Sequence, residues 1–230
     1  MNGIRVHHHG KPEWLASLPE RDTPAESRVR EMFPPGYERY VRLFHPFIPW
    51  GADPRDVGAH GRRTWRQLAQ QVGVDLHPAL QWDTLRPVLP VDGDRRPYEI
   101  HTGELEPITR QGLFVHLRRH VTAQPTYFLY DLSALIAGRD PVTVEAEVDD
   151  FEKVFRWASE TNSAVVSTPE YIWPSDRAWI VCCDYDLSST YVAGTSDLCA
   201  DLLGDPSLEI VEVALDTRVD YKADADQPLR

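Results

Sequence analysis

Two apolar, strand-forming runs, residues 179–184 and 190–192, are joined across Asp184-Tyr185-Asp186-Leu187-Ser188-Ser189 by a tight turn of acids and hydroxyls. So short a connection suits antiparallel neighbours, because a parallel pair needs a crossover of roughly a dozen residues. Further strand signals come at 37–44 (YERYVRLF), 126–131 (TYFLYD), 142–148 (VTVEAEV, strictly alternating) and 208–215 (LEIVEVAL).

Helical signals are interleaved with them. Thr64 can cap a helix to residue 72, with Trp65, Leu68 and Val72 at helical spacing. Residues 109–121 form an amphipathic helix with Leu113, Phe114, Leu117 and Val121 inward. Ser196-Asp197 starts a helix to about 203, and Thr23-Pro24-Ala25-Glu26 starts one that ends before Pro34-Pro35-Gly36. Residues 151–159 suit either a helix capped by Asp149 or Asp150, or a strand. Residues 75–89 read as irregular packed structure, and 91–106 as a polar loop with a hairpin at 98–101. Nineteen prolines against thirteen glycines favour stiff connections and short elements. No repeat of βαβ length is present. The expected fold is α+β, a mainly antiparallel sheet flanked by helices in a single domain over 23–215. A flexible N-terminal arm (1–22) and a charged tail (216–230) flank it.

Composition narrows the function classes. With 42% hydrophobic residues the chain can bury a real core. The net charge of −12 argues against direct binding to nucleic acid, which needs a basic face, and suits a basic protein partner. Lys11, Lys153 and Lys222 are the lysines, so arginine carries most of the positive charge. No apolar run reaches the roughly 18–20 residues of a membrane span. The first residues lack the apolar stretch of a secretory signal, so a cytoplasmic location is expected. Cys182, Cys183 and Cys199 form no Cys-x-x-Cys pair, and the adjacent two should point to opposite faces of a strand as packed thiols.

Several motifs carry partial chemistry. Asp184-x-Asp186-x-Ser188 after an apolar strand superficially matches the nucleophile motif of haloacid dehalogenase-like phosphatases. No basic residue lies between Asp186 and Arg218 to neutralise a phosphoryl group, so the acids read better as a strand end whose hydroxyls bond the turn backbone. His116 and His120 share one side of a helix, but Leu117 stands where a metalloprotease has its glutamate. His7-His8-His9 has no completing ligand nearby. No nucleophile elbow, Walker loop or dinucleotide fingerprint occurs. No catalytic residue, metal or cofactor is therefore assigned. The binding candidates are Trp173, Asp176, Arg177 and Trp179, as an aromatic groove, together with Asp184, Asp186, Thr190 and Tyr191.

Blocks across residues 37–215 resemble a group of proteins of unassigned activity from high-GC Gram-positive bacteria. They include Tyr40-Val41-Arg42-Leu43-Phe44-His45-Pro46, Leu76-His77-Pro78 through Trp82, and Trp173-Pro174-Ser175-Asp176-Arg177-Ala178-Trp179. The match continues through 186–194 and 202–208. The resemblance implies an intracellular setting. The leading expectation is an acidic, non-catalytic binding protein, of immunity or regulatory type, that covers a basic protein surface. The alternatives are a metal-dependent hydrolase or transferase using Asp184 and Asp186, and a small-molecule sensor with its pocket between the tryptophans.

Overall fold

The computed structural model describes residues 3–18, 27–53, 58, 61–86, 98–131, 134, 138–161 and 167–224. Eight strands form one open sheet: β1 (Ile4–His7), β2 (Arg39–Phe44), β5 (Thr126–Tyr130), β6 (Val142–Ala146), β7 (Tyr171–Pro174), β8 (Ile180–Cys182), β9 (Ser189–Gly194) and β10 (Ile210–Val213). Their order is β1-β6-β5-β7-β8-β9-β2-β10, and every neighbouring pair is antiparallel. β3 (Ile48–Pro49) and β4 (Tyr98–Glu99) make a separate ribbon. The α+β class with an antiparallel sheet is as the strand and turn signals require.

Because side chains alternate along a strand, each strand feeds two layers. Val41, Leu43, Phe128, Val144, Ile172, Val181 and Val192 face one way. They are covered by α4 (Pro107–Leu117), α5 (Phe151–Thr161) and α6 (Ser196–Leu203) through Leu113, Phe114, Leu117, Phe155 and Leu198. Phe114 stacks on Phe151 with ring centroids 4.0 Å apart. Tyr40, Leu129, Tyr171, Trp173, Ile180 and Tyr191 face the other way. Leu15 of α1 (Glu13–Ala16), Val29 and Val219 cover them. A third cluster, Phe44, Phe47 and Leu80, lies beneath α2 (Trp65–Val72) and α3 (Trp82–Leu85).

Local chemistry explains the element ends. Thr64 and Gln67 form a reciprocal capping box on α2, and Gly73 closes it at φ 73°. Glu106, not Thr109, caps α4, accepting from Ile108 N at 2.8 Å and Thr109 N at 2.9 Å, with Pro107 in the first turn. Thr195, one residue before the expected Ser196-Asp197, caps α6. Residues 151–161 resolve as helix because Val154, Phe155 and Ala158 all turn inward at helical spacing.

Three segments depart from expectation. The expected 23–33 helix falls partly outside the described residues, and its described portion is a short 3₁₀ turn, Val29–Glu31. There Val29 N and Arg30 N donate to Thr217 O and Leu215 O, so tertiary pairing with the tail takes the donors. The N-terminal segment supplies β1, paired with β6, and α1, whose Leu15 is buried. The hairpin at 98–101 is instead a pairing of Tyr98 and Glu99 with Pro49 and Ile48; residues 91–97 lie outside the described residues. Among the described residues no helix is long and apolar enough to cross a membrane.

Candidate functional site

The turn between β8 and β9 is built as its composition suggests. Asp184 Oδ1 accepts from Asp186 N at 3.0 Å and Asp184 O accepts from Leu187 N at 3.0 Å, an Asx turn closed by a backbone bond. A second loop locks against it. Gly103 N donates to Leu187 O at 2.9 Å, with Gly103 at φ 66° and packed directly on the Tyr185 backbone. The turn borders a cavity of about 540 Å³ closed by α1, the 29–31 turn and the tail.

That cavity is strongly acidic. Glu31, Asp131, Glu170, Asp184, Asp186 and Asp220 line it, against Lys11 as the described cation, with Leu15, Leu18, Leu187 and Val219 as the apolar part. Lys11 reaches Asp131 at 3.0 Å, Glu170 Oε2 accepts from Asp131 N at 2.9 Å, and Asp220 is held by Arg218 through two bonds of 2.9 and 2.8 Å. The chamber is an organised carboxylate wall beside apolar surface. Among the described residues no group of three or more His, Cys, Asp or Glu converges as metal ligands would.

On the helix-covered side of the same hairpin lies a buried polar chain. His45 Nδ1 is 3.0 Å from His101 O, His45 Nε2 is 2.9 Å from Thr190 Oγ1, and Thr190 Oγ1 is 3.3 Å from Cys183 Sγ. Burial, opposed by the bond to His101 O and reinforced by the charge of Arg42, lowers the His45 pKa to about 4, so the ring is neutral at physiological pH. A carbonyl only accepts, so Nδ1 carries the proton and donates to His101 O. Thr190 must then donate to Nε2, and the Cys183 thiol donates to Thr190 in turn. Burial also pushes the Cys183 thiol well above its ordinary pKa. His45, Thr190 and Cys183 are all buried, so the chain orders the core and is closed to solvent.

The eight binding candidates separate into groups. Asp184 and Asp186 line the acidic chamber. Thr190 joins the buried chain, while Tyr191, the next residue, points to the opposite face beside Arg42. The hydroxyls of Ser189 and Thr190 therefore bond buried side chains rather than the turn backbone. Trp173 packs edge-on against Trp14 and stacks on Tyr127. Trp179 is fully buried in the helix-covered core on the other side of the sheet, so no groove forms between the two indoles. Asp176 and Arg177 border a shallow cavity of about 370 Å³ with Pro34, Pro35 and Tyr37. Burial, against the opposing charge of Arg177, raises the Tyr37 hydroxyl to about 12.

Two further sets of side chains acquire roles. His116 and His120 pair with Asp205 and Asp201, each at 2.8 Å, joining α4 and the 3₁₀ turn after it to α6 and its C-terminal turn. Cys182 and Cys183 do point to opposite faces, and all three cysteines are buried and outside any disulfide. The residue that sequence reasoning passed over is Arg42. It is buried in β2, directly across from Tyr191 in the register. The one available signal was an arginine in the middle of the aromatic and branched run from Tyr40 to Phe44. Comparison with protein-family models, curated proteins and solved structures yields no match.

Proposed function

We propose that this chain is an intracellular, acidic, non-catalytic binding protein whose partner is a basic protein, and that a basic side chain of the partner enters the acidic chamber. The observation that carries this reading is the lining of that chamber, six carboxylate residues against Lys11, in a chain of net charge −12. Carboxylates in a concave, partly apolar wall act on a cation more strongly than the same charges spread over an open surface, because the local dielectric is lower. The apolar rim of Leu15, Leu18 and Val219 suits the methylene stem of lysine or arginine.

Affinity capture at low and moderate salt tests the reading, with the wild type beside an Asp184→Asn/Asp186→Asn double variant. A dominant basic partner is expected that is retained by the wild type, weakened by salt and lost from the variant. A partner held equally by both proteins, or binding indifferent to salt, would sink it.

A further inference from the structure

Arg42 occupies a position on β2 where its neighbours on the same face, Tyr40 and Phe44, are apolar core residues. The residue is 1% exposed. Nε donates to Ser189 Oγ at 2.8 Å and Nη1 donates to Pro78 O at 2.8 Å. The Cζ atom sits 4.2 Å from the Phe44 ring centroid, 5.7 Å from Trp65 and 5.9 Å from Tyr191. Nη2 makes no hydrogen bond to a described residue, and no described carboxylate forms an ion pair with Arg42. Asp224 acts on Arg42 through space, but its Oδ2 is engaged by Gln81 N at 2.6 Å and Thr84 Oγ1 at 2.8 Å. A buried cation held by neutral groups and aromatic faces, with one donor left over, is an arrangement that an incoming anion completes.

Arg42 lines a cavity of about 80 Å³. Ser188, Ser189, Thr102 and Gln81 supply polar wall, and half-buried Trp82 and exposed Tyr221 supply aromatic wall. Asp186 lines it too, and its carboxylate makes no hydrogen bond or ion pair with a described residue. A volume of this size takes a small head group and leaves the remainder of a ligand outside, against Trp82 and Tyr221. A dianion such as phosphate would place two negative charges beside Asp186 in a protein already strongly acidic. A carboxylate needs only the Arg42 donor and a hydroxyl. An ammonium group on the same ligand would meet Asp186 on the cavity wall.

We propose that the Arg42 cavity binds a free α-amino acid, its carboxylate on Arg42, its ammonium on Asp186 and its side chain against Trp82 and Tyr221. The inference shares Asp186 with the basic-partner reading but rests on Arg42, which that reading does not use. The salt series reads one and an amino-acid titration reads the other, so either fails alone.

The test titrates the full chain with the twenty common amino acids, acetate, N-acetylglycine and inorganic phosphate, following thermal shift and calorimetric affinity. Saturable binding of one or more free amino acids is expected, with N-acetylglycine and phosphate inert. Asp186→Asn should weaken the amino acid about tenfold, as expected for loss of one charge-assisted contact, while acetate binding is not weakened and gains from removal of the like charge. Tyr221→Ala should weaken large amino acids and spare glycine. Arg42→Lys should remove binding. Asp186 and Tyr221 are exposed, so their variants keep the test decisive even where the Arg42 variant does not fold. No saturable binding by any free amino acid, equal binding of glycine and N-acetylglycine, or stabilisation by phosphate alone overturns the assignment.

Discussion

Thr190 Oγ1 stands 2.9 Å from His45 Nε2, linking the first residues after the acidic turn to the end of β2 through one buried hydroxyl. The same bond fixes the protonation of three side chains, since a neutral His45 that donates to His101 O can only accept from Thr190.

The first consequence is a pH dependence of stability. Unfolded His45 takes a proton near 6.5, whereas folded His45 does so only at about 4. The unfolded state therefore binds the extra proton as pH falls, and stability is lost between those values. Going from about pH 7.5 to about pH 5 should cost about 2 kcal/mol from this group. Burial lowers His77 as well, which adds loss of the same sign. Urea unfolding across that range checks this, and His45→Gln should flatten the curve.

The two histidine–aspartate pairs should differ in worth. For Asp205 the burial that raises its pKa is outweighed by hydrogen bonds from His116 and Ser207, which hold it below the ordinary carboxylate range. Asp205→Asn should cost about 1 kcal/mol, in line with loss of one partly buried charged acceptor. The exposed Asp201, lowered by its hydrogen bond to His120, should be replaceable by Asn with little change. Denaturant midpoints of the two variants decide it.

Glu209 should hold α2 in place. Its carboxylate accepts from Trp65 N at 2.7 Å and Arg66 N at 2.8 Å, and burial raises its pKa despite those bonds. Glu209→Ala leaves two amides of the first turn without an acceptor, so a loss of about 1–2 kcal/mol is expected. Hydrogen exchange should show reduced protection confined first to residues 65–72.

Gly103 should be irreplaceable for a steric reason. A Cβ there would lie 2.3 Å from Tyr185 Cα, on a backbone already at φ 66°. Gly51, at φ 72° with nothing within 4 Å, isolates the backbone cost. Gly51→Ala should cost about 1 kcal/mol. Gly103→Ala should cost clearly more, because the 184–187 turn must also move. Thermal unfolding of the pair separates the two contributions.

Much of the architecture was legible along the chain because it is local. Alternation marked β6, aromatic and branched runs marked β2 and β5, and Thr64 with Trp65, Leu68 and Val72 announced α2. The acidic turn was visible as a turn, since Asx geometry is set within four residues. β1 and β7 were not visible. Four residues such as Ile4–His7 carry little periodicity, and their strand character comes from β6 across a separation of about 140 residues.

The candidate site divides along the same line. The sequence by itself determined that two acids end a buried strand, that the chain is acidic, and that the neighbouring cysteines face apart. Only the tertiary structure decided which carboxylates share a chamber, because Glu31, Asp131, Glu170 and Asp220 come from four separate segments. It alone separated Trp173 from Trp179, whose faces are set by a turn at Arg177, where φ is 57°. It alone brought Arg42 to Ser189, 147 positions apart along the chain. Charge and periodicity are properties of neighbours in sequence. Electrostatic fields and hydrogen bonds act through space, and the pairing of β2 with β9 sets which groups they join.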